Sequence, residues 1–298
     1  MKYSPQQSLS EPLRNKSEIW RIITGVFLIA GIYLGLLIAT FITIGFVLDD
    51  TQLMLFQLEL TSLETPRMVL GALYSFLALI ISVLLVTWLL HRNSVLRLIG
   101  PMAAALHDFG RTFRYLFLLY LVLAVMGWVF SFDGPGPEPN LAFSTWVSLL
   151  PVAVLGIFIQ IGAEELAFRG YLQGHLAARF QSRLIWMFIP AVIFALGHYA
   201  PEENGENAWV IVIWTAFFGL AAADLTARTG NIGAAVAFHF MNNLNALLFV
   251  SLSGPLSGLA LYIYPFNASE VELVTPLLAL DLAVLSVSWL ACRIACRV

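Results

Sequence analysis

Long apolar runs divide this chain. They lie near 20–48, 67–91, 112–132, 145–173, 183–199, 207–227, 231–253 and 273–292. An apolar run of about 18 residues or more reads as a membrane span. Each run can satisfy its backbone hydrogen bonds internally as an α-helix, which lipid requires. The composition agrees, with 60% hydrophobic residues, 11% charged residues and a mean hydropathy of +0.86. The expectation is an all-α, polytopic integral membrane protein with about eight transmembrane helices. It forms a single membrane domain over residues 1–298, with no soluble domain beyond short loops.

Charge placement sets an orientation. Basic residues fall in alternate connections: Lys2, Arg14, Lys16 and Arg21; Arg92, Arg97, Arg111 and Arg114; Arg179 and Arg183; Arg228; Arg293 and Arg297. The remaining connections are acidic or neutral, with Asp49, Asp50, Glu59 and Glu64, then Asp133 and Glu138, then Glu202, Glu203 and Glu206, then Glu270 and Glu272. Arg67 is the one base on that side. The positive-inside rule places both termini in the cytoplasm. The first run follows about 19 mostly polar residues, is too long for a signal peptide and has no A-x-A-like site after it, so it reads as a retained helix. The stretch Ser94–Asp108 is expected to lie as a short amphipathic helix on the inner surface. Cys292 and Cys296 sit at the inner end of the last run and read as small apolar filler, a disulfide being improbable in a reducing compartment. The bilayer is the implied surroundings, and nothing in the charge pattern points to nucleic acid.

Ionisable groups inside a membrane mark functional sites by default. Glu164, Glu165 and Arg169 lie in the fourth run, His198 at the end of the fifth, Asp224 in the sixth, His239 and Asn243 in the seventh, and Asp281 in the eighth. Glu165 and Arg169 are spaced i,i+4 and share a helix face, so they can pair. Glu164 is turned about 100° away. The arginine can therefore neutralise one carboxylate and leave the other free. His239 and Asn243 are also i,i+4. The small residues before them, Gly233, Ala234, Ala235 and Ala237, allow close helix approach. His239 lies about 12 Å and Glu164 roughly 15 Å in from the same side, at 1.5 Å per residue. The two can meet on a cavity open to the cytoplasm.

These are parts for hydrolysis. A buried carboxylate can deprotonate water, and a histidine can share the proton or orient the water. A second histidine and an asparagine amide can donate to an oxyanion. No serine or cysteine stands in an obvious nucleophile setting within this cluster, which favours attack by activated water.

The segments EELAFR, FALGH and HFMNN match E-E-x-x-x-R, F-x-x-x-H and H-x-x-x-N. In that order they resemble the CAAX protease and bacteriocin-processing family, which includes the type II CAAX prenyl endopeptidases. The similarity covers about residues 145–250, which would be the catalytic core. The resemblance implies an intramembrane endopeptidase. Glu164 would activate water with help from His198, and His239 and Asn243 would stabilise the oxyanion. Glu165 and Arg169 would hold the fourth helix in place, and Phe194 would pack by the site. The substrate implied is a membrane-associated peptide or protein tail, in a bacterial inner membrane.

Other readings stay open. A proton-coupled transporter or channel could use the same Glu, His, Arg and Asp groups, and Asp281 has no role in the hydrolytic scheme. Against it stand the absence of an inverted repeat and of paired broken helices. A non-catalytic membrane scaffold would have no need of a free Glu. Glu164, His198 and His239 could form a His₂Glu zinc site with an open position for water. They lie on three segments, without the H-E-x-x-H pair that sets two ligands on one helix. A metal-free, glutamate-activated water is the expectation, with zinc as the alternative.

Overall fold

A computed structural model describes residues 3–129 and 135–298. Lys2, Asp133 and the end of the 112–132 run lie outside the described residues. The polar arm ahead of the first apolar run is folded. Gln6–Ser10 forms α1, and a 3₁₀ turn follows over Glu11–Lys16. Leu9 and Leu13, one helical turn apart, are fully buried. The first apolar run is α2 (Ile19–Val47). After it comes α3 (Asp50–Ser62), a helix not expected from the sequence. A capping box starts it: Asp49 accepts from the Gln52 amide at 2.9 Å, and the Gln52 side chain accepts from the Asp49 amide at 3.2 Å. The second run is α4 (Pro66–Ser75) and α5 (Leu77–Leu89).

Ser94–Asp108 is not one surface helix, contrary to expectation. It splits into α6 (Leu96–Ile99) and the first turns of α7 (Met102–Val129). Gly100 and Pro101 cause the break. Gly100 has φ +84°, and a Cβ there would lie 2.6 Å from the Gly230 carbonyl oxygen. Only glycine suits that backbone and that close approach. The third membrane helix therefore begins at Met102 rather than near 112.

Strand β1 (Glu138–Pro139) precedes α8 (Phe143–Glu165). Directly after Glu165 the helix widens to a π-helix over Leu166–Gln173 and continues as α9 (Gly174–Arg179). The fifth run is a π turn over Leu184–Phe188 followed by α10 (Ile189–Leu196). Then come α11 (Pro201–Asn204), α12 (Ala208–Thr229) and α13 (Gly233–Leu244), the last extended by a π turn over Asn245–Phe249. Strands β2 (Val250–Leu252) and β3 (Tyr262–Tyr264) lead to α14 (Val271–Cys296). β3 is the centre of a small sheet, antiparallel to β1 and parallel to β2. The chain is thus nearly all-α rather than all-α.

Six helices among the described residues are long and apolar enough to cross a membrane: Ile19–Val47, Pro66–Leu89, Met102–Gly127, Phe143–Arg179, Pro201–Thr229 and Val271–Cys296. The runs near 183–199 and 231–253 form shorter helices. Residues such as Phe27, Phe46, Leu118, Leu121, Leu290 and Ile294 on α2, α7 and α14 are exposed. They suit contact with lipid chains. The polar residues instead gather on α8, α12 and α13 in the interior.

The connections fall into two groups, one at each end of the helices. At one end Tyr3 donates to Asp224 Oδ1 at 2.6 Å and Ser8 to the Gly230 carbonyl at 2.9 Å. His91 Nδ1 donates to the Lys16 carbonyl at 2.7 Å, and Arg183 lies over the Tyr3 ring at 4.8 Å. At the other end Leu256 donates to the Leu63 carbonyl at 2.9 Å, and Asn207 to Ala268 at 2.9 Å. Asn140 donates to Ala260 at 2.9 Å. These are the basic and acidic sets of the sequence.

The small residues act as expected. A Cβ at Gly233 would run into the backbone of Ala105, so only glycine lets α13 lie this close to α7. At Gly219 a Cβ would meet the Ala191 Cβ at 3.1 Å, so α12 and α10 are also closely packed. Cys292 is buried and both cysteines are free thiols.

Candidate active site

Glu165 is fully buried, and its ion pair with Arg169 measures 3.2 Å between Oε1 and Nη1. The pair lacks hydrogen-bond geometry, leaving Glu165 Oε2 and Arg169 Nη1 buried without a hydrogen bond. Charge and packing hold Arg169: its guanidinium lies 4.8 Å from the centre of the Phe194 ring, and Nη2 donates weakly to the Gly219 carbonyl at 3.4 Å. A π-helical turn carries Arg169. Such turns inside longer helices often occur at functional sites.

Glu165 has a second partner that helix spacing could not reveal. His239 Nδ1 lies 2.9 Å from Glu165 Oε1. A carboxylate accepts, so Nδ1 carries the proton and the ring orientation is set. That turns Nε2 toward Glu164, whose Oε2 is 3.5 Å away. The distance is too long for a strong hydrogen bond, and the contact is an ion pair only when the ring is protonated. His239 therefore stands between the two carboxylates, with one nitrogen facing each.

Glu164 lines a cavity of about 350 Å³ with His198. Val26, Tyr33, Phe168 and Tyr171 are among the apolar and aromatic residues around them. His198 lies just past the C-terminus of α10, and its Nδ1 donates to the Phe194 carbonyl at 2.9 Å. In the neutral ring this leaves the Nε2 lone pair free. Phe194 is buried and touches both histidines, at 4.8 Å from the His198 ring and 6.0 Å from His239. His239 and Asn243 do not line this cavity. A larger cavity of about 1170 Å³, bordered by Tyr120, Asn245 and Glu272, contains none of these groups.

Asn243 reaches Glu164 indirectly, through Gln160. Its Nδ2 donates to Gln160 Oε1 at 3.0 Å, and Gln160 Nε2 donates to Glu164 Oε2 at 3.1 Å. The sequence reading passed over Gln160, although it lies i,i+4 from Glu164 on one face. It also passed over His91 and His175, whose ring centres lie 4.1 Å apart at a tilt of 33°. His91 Nε2 accepts from Tyr171 at 2.8 Å, and His175 Nδ1 bonds Ser17 at 2.8 Å, tying the N-terminal arm to the wall of the cavity. Asp224 belongs to a separate cluster, bonded by both Oδ atoms to Arg228 Nε at 2.8 Å and by Oδ2 to Trp289 at 3.0 Å.

Metal binding needs a third donor. Glu164 Oε2, His239 Nε2 and the Glu165 behind His239 resemble one edge of a metal site with its outer carboxylate. Among the described residues, however, no three His, Cys, Asp or Glu side chains stand where they could hold a metal ion. In this arrangement His198 does not stand as a third donor beside Glu164 and His239.

Residues 145–245 match the family model described as type II CAAX prenyl endopeptidase Rce1-like. The chain carries an Rce1-like domain. That domain runs from α8 to the end of α13 and holds every residue of the carboxylate–histidine cluster. The uncharacterized protein YyaK of Bacillus subtilis strain 168 is 25% identical over 259 residues, covering 84% of each chain. No solved structure matches. The six apolar helices, together with the Rce1-like match over residues 145–245, describe an integral, multi-pass membrane protein.

Proposed function

We propose that this chain is an intramembrane endopeptidase. It hydrolyses peptide bonds of membrane-associated peptides or protein tails, using a water activated by Glu164. One observation carries the reading: the two adjacent glutamates have different partners. Glu165 is occupied by Arg169 and His239, while Glu164 shares a cavity with His198. A transporter relay would not require that division, and the Rce1-like domain covers the same residues.

In the proposed step the water gives a proton to Glu164 while its oxygen attacks the scissile carbonyl carbon. The free Nε2 lone pair of His198 accepts a hydrogen bond from the same water. The proposed oxyanion donors, the second Nδ2 hydrogen of Asn243 and His239 Nε2, stand beside Glu164 but outside the lining of the cavity shared with His198, so the scissile carbonyl has to reach past Glu164 toward α13. His239 donates through both nitrogens only as an imidazolium. Glu164 then passes its proton to the leaving amine. No metal takes part in this scheme.

The domain is proposed as one unit over residues 1–298 with its catalytic core at 145–250, in a bacterial inner membrane. All eight apolar runs are proposed to cross it, because the two shorter helices connect the same two groups of loops. Both termini are placed in the cytoplasm. A cysteine at Glu203 should then react with a membrane-impermeant thiol reagent from outside and one at Arg179 from inside; the reverse pattern refutes this orientation.

The test of function is to compare membrane-associated peptides in cells making wild type or Glu164→Ala. Peptides that shorten only with wild type would be substrates, and identical profiles would refute the reading. A chelator arm on the purified enzyme should leave cleavage unchanged. Stoichiometric zinc lost together with activity, and both restored on adding zinc, would recast Glu164, His198 and His239 as ligands.

A further inference from the structure

Gln160 places an uncharged amide within a membrane helix, and both ends of that amide are used. Its Nε2 donates to Glu164 Oε2 at 3.1 Å, and its Oε1 accepts from Asn243 Nδ2 at 3.0 Å. The orientation is not arbitrary. A carboxylate accepts only, so the amide NH₂ must face Glu164 and the carbonyl must face Asn243. Asn243 is fixed in turn, because the Gln160 carbonyl can only accept from its Nδ2, and its Oδ1 is left to accept from Asn242 Nδ2 at 3.4 Å. Three amides thus run Asn242, Asn243, Gln160, all donating toward Glu164. Such chains polarise one another and strengthen their bonds. Glu164 Oε2 is held by Gln160 on one side and faces His239 on the other, while Oε1 takes no hydrogen bond among the described residues.

We propose that Gln160 is a positioning residue, which fixes the carboxylate of Glu164 and the amide of Asn243 relative to each other. The inference rests on the proposed hydrolysis. Within it, Gln160 turns the free Oε1 toward the water and leaves one Asn243 hydrogen for the oxyanion. The base on α8 and the donor on α13 belong to different helices, and Gln160 is the direct hydrogen-bonded link between them.

The test uses the full-length protein in detergent and two internally quenched peptides. Both end in cysteine plus three residues, and one is prenylated on that cysteine. Gln160→Met keeps the length and removes both polar ends. It should lower kcat by about 100-fold, the scale of a roughly 1 Å misplacement, with KM little changed and the unfolding temperature retained. In an Asn243→Ala background the same change should cost far less, because the two residues act as a unit. Unchanged kcat, or an equal loss in both backgrounds, overturns the proposal. Should Gln160→Met fail to fold, Gln160→Glu keeps the size and the acceptor for Asn243 but turns a carboxylate against Glu164, and it should lose kcat likewise. Infrared spectroscopy gives a readout that needs no substrate. The Glu164 carboxylate band, recognised as the one lost in Glu164→Gln, should move in Gln160→Met. An unmoved band overturns the proposal. Peptide cleavage that survives Glu164→Gln instead refutes the hydrolytic reading, and the band still decides whether Gln160 holds Glu164.

Discussion

Glu164→Gln should abolish peptide cleavage and leave a folded protein. The substitution keeps the length and planarity of the side chain, so the cavity it shares with His198 keeps its wall. The new amide can still accept from Gln160 through its oxygen. What is lost is the group that takes the proton from water. A positioned general base contributes typically 10²–10⁴-fold, and kcat should fall by about that factor or more, since no second carboxylate is free to substitute. Glu165 cannot move into the role, because Arg169 and His239 flank it. The check is turnover of a cleaved peptide measured beside the unfolding temperature in detergent. Near-wild-type turnover would remove Glu164 from the mechanism. A protein that unfolds early would make its role structural.

Glu165 and Arg169 should respond in the opposite way, losing the fold first. Both side chains are buried, at 0% and 2% exposure. Glu165→Gln leaves the Arg169 cation without its carboxylate, and Arg169→Ala leaves Glu165 with only His239. Removing one partner of a buried pair costs about 3–5 kcal/mol, because the remaining charge is uncompensated. Each single variant should therefore express poorly or unfold well below wild type. The double variant Glu165→Gln, Arg169→Met removes both charges together. It should recover most of the stability but not the activity, since the orienting carboxylate behind His239 is gone. Single variants that unfold with wild type would show that the pair does not hold the helix. A double variant no more stable than the singles would mean that Phe194 and the Gly219 carbonyl, not charge balance, set the cost.

Features that are local or repeated were legible from the residues alone. Run lengths and apolarity gave the helices, because lipid leaves the backbone no other way to satisfy its hydrogen bonds. The alternating charges separated the two groups of loops that meet at opposite ends. The i,i+4 spacing paired Glu165 with Arg169, since one helix turn fixes which side chains are neighbours. The three short motifs pointed to the domain that the family model matches over residues 145–245. Contacts that depend on how separate helices rotate and pack were not legible there. The bond from His239 to Glu165 crosses between α13 and α8, so no spacing could reveal it. The link through Gln160 needs Asn243 of α13 turned toward α8. The N-terminal arm reads as polar, yet Leu9 and Leu13 anchor it among helices far along the chain. Even the break at Gly100 depends on a distant partner, because the Gly230 carbonyl leaves no room for a side chain there. Residue type and helical period settle contacts within a helix, whereas contacts between helices follow from the close packing of all of them together.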